Sequence, residues 1–276
     1  MNSLLNPDRP PVFCPGCTHE RITYVLDQAL GRLNLKANQV VLVSDIGCSG
    51  LFDTFFKTHA FHGLHGRALT YAAGLKMANP ELTVIVTMGD GGIGIGGAHF
   101  LAACRRNLDL TLLILNNFNF GMTGGQMSAT TPADVIVGSG FLNRLERPLD
   151  ICETARAAGA AYIGRFSGFQ EDLAEKVAQA IGFKGFSVLD IWGVCPGRYN
   201  KKNRITPKSI DQDLSRLRLY DGLVKENTRE EYGELYRKTS GNFGPPPARL
   251  EIRPEFAPPE FARKEVVLLG DAGQRI

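Results

Sequence analysis

The sequence has one Trp, five Met and six Cys in 276 residues, and only 21% of its side chains are charged. Six Cys are too few for a small disulfide scaffold, so in a reducing compartment they point to metal binding, catalysis or buried structural thiols. There is no long apolar run. The stretch over 110–115 is as far as one extends, which excludes a membrane-spanning helix. The opening MNSLLNPDRPPVF lacks a basic-then-apolar leader pattern, so a cytoplasmic protein is expected. A net charge of +3 makes too weak a field for nucleic acid to be the main partner. With 43% hydrophobic residues and few charges, disorder is excluded as well. No internal repeat is present.

What is present is unevenly placed. Residues 1–196 hold 31 of the 59 charged side chains and the last 80 residues hold 28. The expectation is a packed domain over 1–200 and an extension over 201–276 that contacts partner subunits. Within the first part, apolar runs over 39–46, 83–88, 110–115, 161–165 and 186–194 read as strands. Helical spacing over 67–77, 97–106, 149–158 and 170–181 reads as the helices between them. This alternation predicts an α/β fold, a mostly parallel sheet with helices on both faces. Ligands of such folds sit at the carboxyl ends of the strands. In the extension, 209–219 reads as one amphipathic helix, and the Pro-rich 241–259 reads as an extended arm.

Gly89-Asp90-Gly91 ends one strand, and Asn116-Asn117 follows after 24 intervening residues at the end of the next. Glycines let backbone N–H groups approach phosphate oxygens, and a helix N-terminus adds positive potential. Alone, such a turn as often simply connects strand to helix. Asp90 together with an Asn at the next strand end adds hard oxygen donors suited to Mg²⁺, a cation that bridges phosphates.

Cys14-Pro-Gly-Cys17 has a chelating spacing that fits a zinc knuckle, a redox pair or chance. No second C-x2-C follows, which disfavours a zinc ribbon. Cys48 and Cys195 sit at strand ends, on the face that carries the other unusual residues. Four thiolates can ligate a [4Fe–4S] cubane, and the sequence alone does not separate that from zinc. Cys104 and Cys152 fall inside helices and read as core thiols.

CPGC at 14–17, GCSG at 47–50, HGLHGRA at 62–68, GDGG at 89–92 and NNFNFGMTGGQMSATTP at 116–132 occur in one order. Together, over roughly residues 12–205, they resemble the β subunit, the thiamine-diphosphate-binding subunit, of the 2-oxoacid:ferredoxin oxidoreductases. The resemblance implies a [4Fe–4S] cluster on Cys14, Cys17, Cys48 and Cys195, and Mg²⁺ on Asp90, the Asn117 side chain and the Asn119 carbonyl. It places Ile46, Gly47, Cys48, Ser49 and His65 against the cofactor, with Cys48 and His65 as the catalytic candidates. Gly91, Gly92, Met122 and Thr123 would line the diphosphate. The activity implied is oxidative decarboxylation of a 2-oxoacid with coenzyme A to acyl-CoA and CO2, electrons passing to ferredoxin. The carboxylate that activates the cofactor, a Glu, would come from an α subunit, which implies a dimer of heterodimers or a larger assembly.

Two other readings remain open at this point: a non-oxidative thiamine-diphosphate decarboxylase subunit, and a non-catalytic iron–sulfur scaffold. The four Cys argue against the first, and Asp90 with Asn117 argues against the second. Gly125 contributes no cation to the loop that helps shape the substrate pocket in this family. 2-Oxoglutarate is nonetheless favoured over branched-chain 2-oxoacids, indolepyruvate or pyruvate, with an Arg of the α subunit available for a distal carboxylate. Residues 264–276 faintly resemble the strand and Gly turn that open a partner domain, and an arm strand is the favoured reading.

Overall fold

The computed structural model of the chain describes residues 3–224. The segments read as an arm and a closing strand, 241–259 and 264–276, lie outside the described residues.

The sheet is built from apolar runs that have no polar side. β1 (Val40–Ser44), β4 (Leu110–Asn116) and β5 (Tyr162–Ser167) are buried at every position, and β3 (Thr83–Gly89) and β6 (Phe186–Trp192) are buried except at their ends. Strands of this kind need cover on both faces, which crossover helices supply to a parallel sheet. The seven strands run in the order β2-β1-β3-β4-β6-β5-β7. All neighbours are parallel except β7 (Asp221–Leu223), which pairs antiparallel with β5. β2 (His59–His62) forms one edge and is exposed along its length.

Alternation within each strand assigns its side chains to two cores. Val40 and Leu42 face one layer, under α1 (Thr18–Arg32) and α6 (Leu173–Gly182). Val41 and Val43 face the other, under α2 (Ala68–Ala78), α4 (Gly97–Arg106) and α5 (Ile151–Ala157). Cys104 and Cys152 are fully buried in this second core, in keeping with their reading as packing thiols.

Most expected elements form, with altered ends. The strand over 39–46 stops at Ser44 and releases Asp45 into the following turn. The strand over 186–194 stops at Trp192, and the helix over 170–181 begins only at Leu173, after Asp172 at its cap. In place of a helix over 209–219 there is α7 (Pro207–Ser215). It is opened by a capping box between Thr206 and Ser209 and by Pro207 in its first turn. α1 has no counterpart among the expectations, although Ile22, Val25, Leu26, Ala29 and Leu30 recur at helical spacing and are buried. Its start is fixed by contacts distant in sequence. The Val194 N–H donates to Thr18 Oγ1 (2.7 Å), and Arg21 Nε donates to the Gly168 carbonyl (2.8 Å). These bonds bring Cys14 and Cys17 to the carboxyl end of β6.

Candidate functional site

Three turns following β1, β3 and β4 meet in one cleft. Ile46, Gly47, Cys48 and Ser49 come from the first turn. Asp90, Gly91 and Gly92 come from the second, and Asn117, Asn119, Met122 and Thr123 from the third. His65, ahead of α2, completes the wall. The parallel sheet makes this convergence geometric, because neighbouring strands end on the same side.

A carboxylate that the motifs did not single out organises the first wall. Asp45 is fully buried; its Oδ1 accepts from the Gly66 N–H (2.6 Å) and its Oδ2 contacts His65 Nδ1 (2.9 Å). A carboxylate only accepts, so it selects the imidazole tautomer protonated at Nδ1 and leaves Nε2 as the nitrogen available to a ligand. The Phe120 ring holds the imidazole edge-on, with centroids 5.9 Å apart. The signal in the sequence was weak: an Asp at a strand end reads as an ordinary turn, and its partner is 20 residues away.

Asp90 begins α3 (Asp90–Ile95), so the N–H groups of its first turn have no partner within the helix. The carboxylate is 1% exposed and accepts from Ser128 Oγ. The Thr130 hydroxyl lies between Asp90 Oδ2 (3.2 Å) and Asn116 Oδ1 (2.9 Å), with one proton for two acceptors. Asn116 Nδ2 donates to Asp190 Oδ1 (2.9 Å), whose other oxygen accepts from Trp192 Nε1 (2.8 Å). A hydrogen-bonded line thus runs from the cleft to Asp190, with Arg165 beyond it at 4.0 Å. Burial pushes the Asp90 and Asp190 carboxyls up to about 6, against the opposing pull of these hydrogen bonds.

This site fits a divalent cation in two respects. Among the described residues Asp90 makes no ion pair, although it is buried. Asn119 Nδ2 donates to the Asn117 carbonyl (2.6 Å), while its buried Oδ1 has no hydrogen-bond partner. The turn carrying these groups is strained: Phe118 has φ +61°, a left-handed conformation costly for a bulky side chain. Contacts with Trp192 (centroids 4.8 Å apart) and Tyr199 (5.9 Å) hold it in place.

The four cysteines of the sequence reading come together at one end of the cleft. Cys17 feels the charges of Cys195, Cys48 and Cys14, and Cys48 those of Cys195 and Cys14. Burial, followed by these like charges, raises both thiols, Cys17 to about 12. A Cβ built on Gly121 would meet Cys195 Sγ at 3.3 Å, which places that sulfur beside the third turn of the cleft. Four thiols that repel one another as thiolates suit a polycationic core that neutralises them together. Among the described residues, no three His, Cys, Asp or Glu side chains form a group able to hold a single metal ion.

Residues 45–191 match the family model described as the C-terminal TPP-binding domain of thiamine pyrophosphate enzymes. A 2-oxoglutarate synthase subunit KorB of Archaeoglobus fulgidus is 38% identical over 240 residues, covering 83% of this chain and 90% of that protein. A 2-oxoacid:ferredoxin oxidoreductase subunit beta of Saccharolobus solfataricus is 40% identical over 188 residues, 67% of this chain and 62% of that one. Among solved structures, a 2-oxoglutarate:ferredoxin oxidoreductase from Magnetococcus marinus, with 2-oxoglutarate, coenzyme A and succinyl-CoA bound, superposes with a TM-score of 0.77. It is 24% identical, over 89% of this chain and 91% of that one.

Proposed function

Because the chain belongs to the β subunits of the 2-oxoacid:ferredoxin oxidoreductases, a family of thiamine-diphosphate enzymes, we propose that its substrate is 2-oxoglutarate. In this reading CO2 is released, the acyl group leaves on coenzyme A and the electrons pass to ferredoxin. The substrate is the one in the names of the relatives that align along most of both chains. The observation that supports the mechanism is the cleft itself, where Cys48 shares a wall with Asp90, Gly91 and Gly92 and feels the charges of Cys14 and Cys195.

Asp90, the Asn117 side chain and the Asn119 carbonyl hold Mg²⁺ in this reading. The N–H groups of Gly91 and Gly92, with Met122 and Thr123, receive the diphosphate. Cys14, Cys17, Cys48 and Cys195 hold a [4Fe–4S] cluster. Thiamine diphosphate supplies the nucleophilic carbon that decarboxylates a 2-oxoacid, and the cluster removes the electrons one at a time. The protein's part is placement. Asp45 fixes His65 so that Nε2 can hold or give a proton at the reacting end. The Thr130–Asn116–Asp190 line keeps the Asp90 carboxylate aimed at the metal. Cys48 shares one turn with the cofactor-facing Ile46 and Gly47, which keeps the electron acceptor beside the carbon chemistry. No Glu lines the cleft among the described residues, and the activating carboxylate is assigned to an α subunit.

The test is purification of the complex with its α subunit, iron and sulfide analysis, and viologen reduction with a panel of 2-oxoacids. The expected outcome is a cluster-containing enzyme with the highest kcat/KM for 2-oxoglutarate. Asp90→Ala should abolish Mg²⁺-dependent cofactor binding by calorimetry while leaving the iron content intact. Unchanged cofactor affinity in that variant would remove the assignment.

A further inference from the structure

The turn that follows Cys195 carries charge of one sign. From Trp192 to Ile210 the sequence has five cations, Arg198, Lys201, Lys202, Arg204 and Lys208, and no carboxylate. All five are exposed, and among the described residues none is in an ion pair. Asp134, Asp90 and Asp213 act electrostatically on Tyr199 in the same neighbourhood, Asp90 from a buried position, and still leave five positive charges against three negative.

These cations are not carried on a loose loop. The N–H groups of Arg198, Tyr199 and Asn200 all donate to the Cys195 carbonyl (3.4, 3.0 and 3.0 Å). The Asn200 side chain accepts from the Cys195 N–H (3.1 Å) and donates to the Ile205 carbonyl (2.9 Å). Asn203 ties the next turn to Ile136 through its backbone N–H (2.8 Å) and carbonyl (2.9 Å). Tyr199 is buried against Phe118. The basic surface is therefore built directly onto the backbone of one of the four clustered cysteines. It also reaches a second: a Cβ on Gly197 would meet Cys14 Sγ at 3.2 Å, and Cys14 is exposed.

Like charges fixed side by side repel and contribute nothing to folding, whereas they raise the local concentration of an anionic partner. Their position at the exposed edge of the cysteine group indicates what that partner does. We propose that the Arg198–Lys208 turn is the docking surface for a small acidic electron-carrier protein, which takes electrons from the four-cysteine site across its Cys14 edge. This rests on the reading that those cysteines hold a redox cluster. Each docking event moves one electron, oxidising the reduced cluster and reducing the carrier. Two events clear the electron pair released by one 2-oxoacid.

The test uses the holoenzyme with its α subunit and the variant K201E/K202E/R204E, which spares the cysteines and Arg198. For ferredoxin the KM should rise about tenfold and lose its dependence on ionic strength. The rate with methyl viologen, a small cation that has no use for the surface, should stay at the wild-type value. Ferredoxin binding, measured by surface plasmon resonance with no 2-oxoacid present, should weaken in the same proportion. Unchanged ferredoxin affinity in the variant, or wild-type affinity indifferent to salt, overturns the proposal. So does a variant that no longer assembles with the α subunit, because the surface then belongs to that interface. If the wild type reduces neither acceptor with any 2-oxoacid, the functional reading falls, and the binding measurement still judges the surface by itself.

Discussion

Asp190 does not line the cleft, yet it closes the hydrogen-bonded line that ends on Asp90. Replacing it by Asn takes the charge from the acceptor of the Asn116 amide. A hydrogen bond to a charged group contributes roughly 1.5–3 kcal/mol, so the Mg²⁺-dependent affinity for thiamine diphosphate should fall about tenfold or more in Asp190→Asn. Calorimetric titration of the wild type and the variant checks this. The same residue gives a pH signature. Its carboxyl titrates near 3.8 when unfolded and near about 6 when buried. Between these values the folded chain holds the extra proton, so its contribution to stability is complete at low pH and is lost as the pH rises from about 4 to about 6. Asp190→Asn lacks that loss. In calorimetric scans of the metal-free protein, its Tm relative to the wild type should climb across the window, and a constant difference would contradict the assignment. At this scale the sequence displayed the donors that sit in motifs and hid those that act across the fold. Asp90 and Asn117 stand out by their spacing, whereas Asn119 and His65 were implied only by the resemblance. Asp45, Ser128, Thr130 and Asp190 matter only because distant turns place them against the first group.

α3 shows how tightly an element can be specified by what it lacks. A side chain on Gly92 would run into the Asp45 carboxylate, one on Gly91 into the Phe120 ring, and one on Gly96 into the Gly66 backbone. The last is the most informative, since the Gly66 backbone cannot rotate away and lies beside His65. Gly96→Ala should therefore destabilise the fold by about 1–3 kcal/mol and loosen the His65 wall, as denaturant unfolding measures. Gly97→Ala, where nothing lies within 4 Å, should be neutral or slightly stabilising. Equal effects at the two positions would contradict the packing account. Elements were legible in the sequence where burial imposes one rule. β4 and β6 lie between two layers and are apolar nearly throughout, so their runs mark them without ambiguity. β2 is an exposed edge whose sequence, His-Ala-Phe-His, follows no hydrophobic rule, and β7 is three residues held by pairing with β5. α1 did carry a helical pattern, but it lies ahead of the first strand, outside the alternation that organised the rest.

At the scale of the molecule, a β subunit is part of a larger assembly, and no Glu lines the cleft among the described residues. The separated β chain should therefore bind thiamine diphosphate with Mg²⁺ yet release no CO2 from 2-oxoglutarate, and CO2 release should appear when the α subunit is added. Release by the β chain alone would show that the activating group lies within it. No helix among the described residues is long and apolar enough to cross a membrane, as the lack of long apolar runs implies.

The bond from Val194 to Thr18 spans 176 positions of the chain, and it has a consequence in time. At 5–20 residues per second, a ribosome takes roughly 10 to 35 s to travel from one residue to the other. For that interval Cys14 and Cys17 are already made while Cys195 does not yet exist. Cys48 follows within roughly 2 to 6 s, so for most of the interval three of the four thiols are present. The four-cysteine group is thereby completed only after synthesis has passed β6.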